Sequence, residues 1–227
     1  KLNLEDYEII FIDDGSKDLS MSIKMLESYH KLGFKSVIPT PHIYQDLYPN
    51  TPKSISDSFK QLREVKSLEN VPSLDFYGAE YMVDETFMKN LEIGVPSLIL
   101  CSRYLLLEIN FFGGTQLLDK ACFQLLQKKT TPILAHPERY MLIDKLDQFK
   151  DLKEKGFYFQ LNALSLMGHY GRQVKQKAEM ILNAGLYDFV ATDAHHNENL
   201  EKLKLLRISK KQRIKWQAIR EFQLDIF

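Results

Sequence analysis

"TPILAHPERY" (131–140) decides how this chain is read. Thr131, Ile133 and Leu134 favour an extended backbone, and the run is apolar up to His136. A proline, an acid and an arginine follow at once. Such a stretch reads as a buried strand that delivers an imidazole at its carboxyl end, then turns. The turn is either an ordinary capped corner, or a place where His136 holds a metal and Arg139 meets an anion. The remaining strands distinguish the two.

The pattern recurs along the chain. "YEIIFI" (7–12) runs into Asp13-Asp14-Gly15, and "SVIPT" (36–40) is followed by His42. "LDFYGAEYM" (74–82) reads as a strand with Glu80 near its end, and "YLLLEIN" (104–110) carries Glu108. "FYFQLNA" (157–163) is a further strand, and "DFVATDAH" (188–195) ends on Asp193 and His195. Helical periodicity fills the intervals. It covers 18–33 with Gly33 as a stop, a segment opened by Thr51 as N-cap and Pro52 in the first turn, and the segments 84–92, 115–129, 146–156 and 172–185. A basic amphipathic helix over 209–222 closes the pattern, with Trp216 expected to pack inward. About seven strands alternating with helices predict an α/β fold with parallel strands. The length suits a barrel, with a doubly wound open sheet as the alternative. No linker or low-complexity stretch divides residues 1–227, so a single domain is expected.

Composition narrows the class. The chain has 227 residues, 44% of them hydrophobic, enough for one sizeable core. Thirty basic and 30 acidic side chains give zero net charge, which argues against nucleic acid as a partner. Apolar runs are a few residues long, far short of the ~20 that a membrane-spanning helix needs, and no signal-like segment opens the sequence. Two cysteines, Cys101 and Cys122, do not make a disulfide framework, so a reducing cytoplasm is the expected location.

In parallel βα units the carboxyl ends of the strands meet on one face, where active sites form. Asp14, His42, Glu80, Glu108, His136, Asp193 and His195 all fall at or just past such ends. Taken singly, each has an ordinary explanation as a turn or surface residue. Glu108 does not fit that explanation well, because Leu105–Leu107 and Ile109 draw it into the core, and a buried carboxylate needs a partner. Seven such residues on six strands point to a shared metal site, and a mixture of imidazole and carboxylate suits Mn, Zn or Fe. His30, His169 and His196 lack this placement and read as surface or loop residues. Clustered divalent cations are suited to phosphoryl transfer, and Arg139 would bind phosphate oxygens or, failing that, pair with Glu138 at the surface. A cysteine-based phosphatase is disfavoured: six residues after Cys101 and Cys122 stand Leu107 and Lys128, where an arginine would be needed. "FFGGT" (111–115) lacks the lysine of a nucleotide-binding glycine loop.

"IDDGSKD" (12–18), "PTPH" (39–42), "GAEY" (78–81), "LLLEI" (105–109), "LAHPERY" (134–140), "QLNALSL" (160–166) and "ATDAHH" (191–196) run in order along nearly the whole chain. With them the sequence resembles the PHP-superfamily (polymerase and histidinol phosphatase) protein-tyrosine phosphatases of bacterial capsule and exopolysaccharide clusters. The resemblance implies a distorted barrel of seven βα units and two or three divalent cations, Mn, Zn or Fe. It also implies hydrolysis of phosphotyrosine, with a tyrosine autokinase of polysaccharide biosynthesis as partner. Carried over by motif, the metal ligands are Asp14, His42, Glu80, Glu108, His136, Asp193 and His195, and Arg139 is the phosphate contact. Tyr44 and Tyr48 would line the mouth or simply pack within their loop. The family's His-x-His pair before "IDDG" has no counterpart in "NLEDYEIIFIDDG"; an ungapped alignment sets Glu5 and Tyr7 there. Omission of the pair from the sequence, rather than its loss, is the expectation, because the other seven ligands remain grouped. Two alternatives share the same anion site: a phosphoesterase for a small phosphate ester, and a catalytically dead binder of phosphotyrosine tails. Whether the protein forms an oligomer is left open.

Overall fold

A computed structural model describes residues 8–11, 19–65, 71–112 and 115–226. Among the described residues eight strands and eight α-helices alternate, except that the third strand directly follows the second and the eighth helix directly follows the seventh. The strands are β1 (Glu8–Phe11), β2 (Ser36–Pro39), β3 (His42–Ile43), β4 (Glu80–Met82), β5 (Tyr104–Glu108), β6 (Thr131–Ala135), β7 (Tyr158–Asn162) and β8 (Phe189–Ala191). The helices are α1 (Leu19–Lys31), α2 (Pro52–Arg63), α3 (Glu85–Glu92), α4 (Gln116–Gln127), α5 (Leu146–Glu154), α6 (Arg172–Ala184), α7 (Asn197–Leu203) and α8 (Lys210–Ile226).

All strand pairs are parallel. They form a two-stranded sheet, β1-β2, and a six-stranded sheet in the order β3-β4-β5-β6-β7-β8. The expected closed barrel of seven units is therefore met only in part. β1 lies beside β8, yet among the described residues no ladder joins β8 to β1 or β2 to β3. Pro39 and Pro41 supply a reason for the second break, since neither has an N–H to continue a ladder. The strand expected over 74–82 is also shorter, beginning only at Glu80. The preceding segment instead leans on β2, with Gly78 donating its N–H to Pro39 O at 2.9 Å. Gly78 is required there because an added Cβ would lie 2.5 Å from Leu100 Cδ2.

The inner strands are buried on both faces, as parallel strands covered by helices must be. Leu105, Leu106, Leu107, Ile133, Leu134, Phe159, Leu161 and Val190 are fully enclosed. Pro132 is tolerated inside β6 because the β7 ladder starts only at Ile133. Thr51 caps α2 as the sequence suggests: its hydroxyl accepts from Ser54 N at 3.0 Å, and Ser54 Oγ accepts from Thr51 N at 2.9 Å. α8 lies against α6 and β8 with Trp216 buried, as expected. α7 was not anticipated; seven residues give too little periodicity to register.

Candidate metal centre

With every strand parallel, their carboxyl ends face one way, and five of the seven expected ligands gather near that edge in two overlapping triads. Glu108 ends β5, His136 follows β6, and Asp193 lies two residues beyond β8. His42 opens β3 and is the register partner of Glu80, the first residue of β4. His42, Glu80 and Glu108 offer ligand atoms within 4.8 Å of one another, and so do Glu80, His136 and Asp193. All five are buried, and Glu80 belongs to both triads. His195 stands at the rim, 3.3 Å by Nε2 from Asp193 Oδ1, with its ring stacked on His42 at 5.4 Å. Asp14 lies outside the described residues, as do Glu5 and Tyr7. His30, His169 and His196 are exposed, as expected of surface residues.

The contacts within the cluster are short. His136 Nε2 lies 3.0 Å from Glu80 Oε1 and 3.9 Å from Glu108 Oε2, and His42 Nε2 lies 3.4 Å from Glu108 Oε1. Glu80 Oε2 and His136 Nδ1 are buried with no hydrogen-bond partner among the described residues. Three enclosed carboxylates face only two enclosed imidazoles, and this imbalance sets the proton affinities. Burial and the neighbouring charge of Glu80 push Glu108 up to about 7, against the opposing pull of His42 and His136. Burial also opposes the charge of Asp193, but His195, His136 and Arg139 outweigh it and hold the carboxyl at about 2. Burial and Arg139 resist protonation of His136, yet the hydrogen bond and charge of Glu80 prevail and raise it. Orphaned ligand atoms, a proton-holding carboxylate and a mixed imidazole–carboxylate donor set fit divalent cations.

Two of the candidate ligands sit on strained backbone. His136 and Asp193 have φ of 33° and 48°, a left-handed conformation unusual for non-glycine residues. Each turns the chain sharply at the end of its strand.

Three further residues, Tyr140, Glu138 and Asn162, hold the arrangement together, and none of them was assigned that role from sequence. Tyr140 OH donates to Ala135 O at 2.8 Å and accepts from Ile109 N at 3.3 Å, tying the ends of β5 and β6. Glu138 is not a surface partner of Arg139; it is fully buried and accepts from Asn162 N at 3.0 Å and Tyr187 OH at 2.9 Å. Asn162, at the end of β7, donates through Nδ2 to Asp193 Oδ2 at 2.6 Å. Arg139 Nη1 donates to the same oxygen at 2.9 Å. Acids and tyrosines at strand ends are common, so only the three-dimensional ties reveal these roles. Tyr48 stacks on His42, with ring centres 4.9 Å apart. The Cys122 thiol is buried and pushed up to about 11 by that burial, which makes it a poor nucleophile.

A family model described as capsular polysaccharide synthesis, CpsB/CapC, matches residues 8–212. The tyrosine-protein phosphatase YwqE of Bacillus subtilis (strain 168) is 29% identical over 186 residues, covering 82% of this chain and 73% of its own. The tyrosine-protein phosphatase CpsB of Streptococcus pneumoniae is 23% identical over 201 residues, covering 86% and 83%. A crystal structure from work on YwqE and CpsB, described there as metal-dependent tyrosine phosphatases, superposes with a TM-score of 0.73 at 25% identity. It covers 95% of this chain and 91% of that one. The phosphotriesterase homology protein of Escherichia coli, solved with phosphate in its active site, shares the fold alone: TM-score 0.52, 12% identity, 97% and 99% covered.

Proposed function

We propose that this chain, which belongs to the capsular polysaccharide synthesis CpsB/CapC family, is a metal-dependent protein-tyrosine phosphatase. The observation that carries the proposal is Glu80, a buried carboxylate common to two ligand triads, one of which shares Asp193 with Arg139. Glu80, Glu108 and Asp193 bring three carboxylates into a small buried volume whose crowding cations would relieve, and His42, His136 and His195 complete the donor set. Divalent cations held there supply Lewis-acid stabilisation of the charge that develops on a phosphoryl group. Two cations suit the two triads; a third would draw on Asp14. Imidazole with carboxylate favours Mn, Zn or Fe.

The chain's own contribution is positioning. Asp193 takes Nη1 of Arg139 through Oδ2, which orients the guanidinium toward the phosphate oxygens that its remaining N–H groups would bind. A planar, charge-assisted donor aimed at three equatorial oxygens strengthens as the phosphoryl group loosens. The substrate is read as a phosphotyrosine-bearing protein, a tyrosine autokinase of polysaccharide biosynthesis in the cytoplasm. Among the described residues no helix is long and apolar enough to cross a membrane, and no disulfide joins Cys101 to Cys122. The two sheets are read as the arc of a distorted barrel within one domain.

The test is turnover of a phosphotyrosyl peptide, abolished by a chelator and restored by Mn. Arg139→Ala should raise KM and lower kcat, with kcat/KM down about 10- to 100-fold and bound metal unchanged. Equal kinetics in that variant would refute the phosphate role. Preference for a small phosphate ester over the peptide would favour a different phosphoesterase. Tight peptide binding by the Mn-loaded protein without turnover would favour the binder alternative, which "NLEDYEIIF" without a His-x-His pair supports.

A further inference from the structure

Arg139 is held by more than Asp193. Its guanidinium carbon lies 4.5 Å from the centre of the Phe111 ring and 4.3 Å from that of Tyr170, both inside the ~6 Å range of cation–π attraction. The two rings come from the segments that follow the strands on either side of β6, since the strand order is β5-β6-β7. Phe111 lies three residues past β5, Arg139 four past β6, and Tyr170 eight past β7. The arginine therefore rises from the middle strand with one aromatic on each neighbour.

The clamp is wired to the cluster. Asn162 Nδ2 donates to Tyr170 OH at 3.0 Å and to Asp193 Oδ2 at 2.6 Å, and the same oxygen accepts from Arg139 Nη1. Arg139, Asp193, Asn162 and Tyr170 thus close a ring of contacts. On the other side Met141 N donates to Phe111 O at 3.0 Å, joining the segment after β5 to the segment after Arg139. Phe111 also packs on Tyr140, with ring centres 5.9 Å apart and nearly parallel planes.

We propose that Phe111 and Tyr170 are positioning residues that fix the plane of the Arg139 guanidinium and present its edge, not its face, to a phosphate. A guanidinium recognises phosphate through in-plane N–H groups, so the orientation of the plane governs bidentate contact. Two aromatic rings in contact with the guanidinium restrict the rotations that a long arginine side chain otherwise explores. Among the described residues the one hydrogen bond of the guanidinium is through Nη1, which leaves Nε and Nη2 for the ligand. This inference rests on the reading of Arg139 as the phosphate contact.

The test is the Kd of inorganic phosphate for the Mn-loaded protein by titration calorimetry, with bound Mn measured alongside. Tyr170→Leu should weaken phosphate about 2- to 30-fold with Mn content unchanged, and Phe111→Leu should do the same. Tyr170→Phe, which keeps the ring, should restore most of that loss. In an Arg139→Ala background neither leucine substitution should weaken phosphate further. If both leucine variants bind phosphate as the parent does while Arg139→Ala binds it worse, the clamp is overturned and the phosphate role of Arg139 stands. An equal loss in the Arg139→Ala background also overturns it, since the rings then act through something else. If Arg139→Ala binds phosphate normally, the reading beneath the clamp fails and the clamp falls with it.

Discussion

Binding of a divalent cation at this cluster should expel protons, and the amount follows from the site. In the metal-free protein Glu108 titrates at about 7, and His136 is raised above the 6.5 of an ordinary imidazole, whereas Asp193 stays ionised down to about 2. A ligand must be deprotonated before it coordinates. At pH 6 Glu108 therefore releases about 0.9 of a proton, and the raised His136 adds to that release, while Asp193 releases almost none. Competition with those protons weakens the overall binding constant between pH 7.5 and pH 6. The factor is about eight from Glu108, and the raised imidazole of His136 adds to it. Stability moves in the opposite sense without metal. The raised carboxyl of Glu108 stabilises the fold fully below the unfolded value of 4.5, and that contribution is lost as pH rises through about 7. The loss amounts to about 3 kcal/mol and is recovered when Mn is added. Titration calorimetry of Mn into chelator-stripped protein, repeated at pH 6 in buffers of different ionisation enthalpy, counts the protons directly. Release of less than half a proton, with a Kd constant within twofold from pH 6 to 7.5, would show that Glu108 and His136 are not ligands.

Two substitutions probe the frame around the cluster. Glu80→Gln preserves shape but removes the charge shared by both triads, so both cations should bind more than about 100-fold weaker, read by elemental analysis after dialysis; loss of a single cation would show that Glu80 serves one triad only. Gly78→Ala sets a methyl 2.5 Å from Leu100 Cδ2, in a place where Leu100 is buried, and should destabilise by about 1–3 kcal/mol in urea unfolding; an unchanged midpoint would mean that Leu100 moves aside freely.

How far the sequence could be read differs between the fold and the site. Parallel βα order was legible because buried strands such as "YLLLE" and "TPILA" are continuous apolar runs, and because Thr51-Pro52 is a strong start signal. The break between β2 and β3 was harder, since a two-residue strand has no periodicity of its own. Glu80 lies in the cluster but opens its strand instead of ending it, because "LDFYGA" has strand-like composition while its backbone pairs irregularly with β2. The clustering of these side chains was legible because carboxylates and imidazoles recur at the ends of several predicted strands. Tyr140, Glu138 and Asn162 were not, because each acts across a distance in sequence that only folding closes: Tyr187 meets Glu138 from 49 residues away, and Asp193 meets Asn162 from 31.

The strained backbone explains why those ties are needed. Among the described residues five non-glycine positions have positive φ, and two of them are the ligand candidates His136 and Asp193. Each costs on the order of 1–3 kcal/mol, and such strain persists only where surrounding contacts over-determine the conformation. The contacts are identifiable at both sites. Tyr140 OH grips Ala135 O immediately before His136, and Glu138 anchors the turn immediately after it. At Asp193 the anchors are Asn162 and Arg139 on one oxygen, while the preceding Thr192 is fixed by a 2.6 Å hydrogen bond to the buried Tyr29 of α1. Both residues flank β7, so β6, β7 and β8 present His136, Asn162 and Asp193 side by side from a rigid base. The fold therefore carries strain and like-charge repulsion at one place, and a bound cation would relieve the repulsion without moving the backbone. The same contacts that hold Asp193 also set the arginine beside it, so the geometry of the cluster and of Arg139 is fixed together.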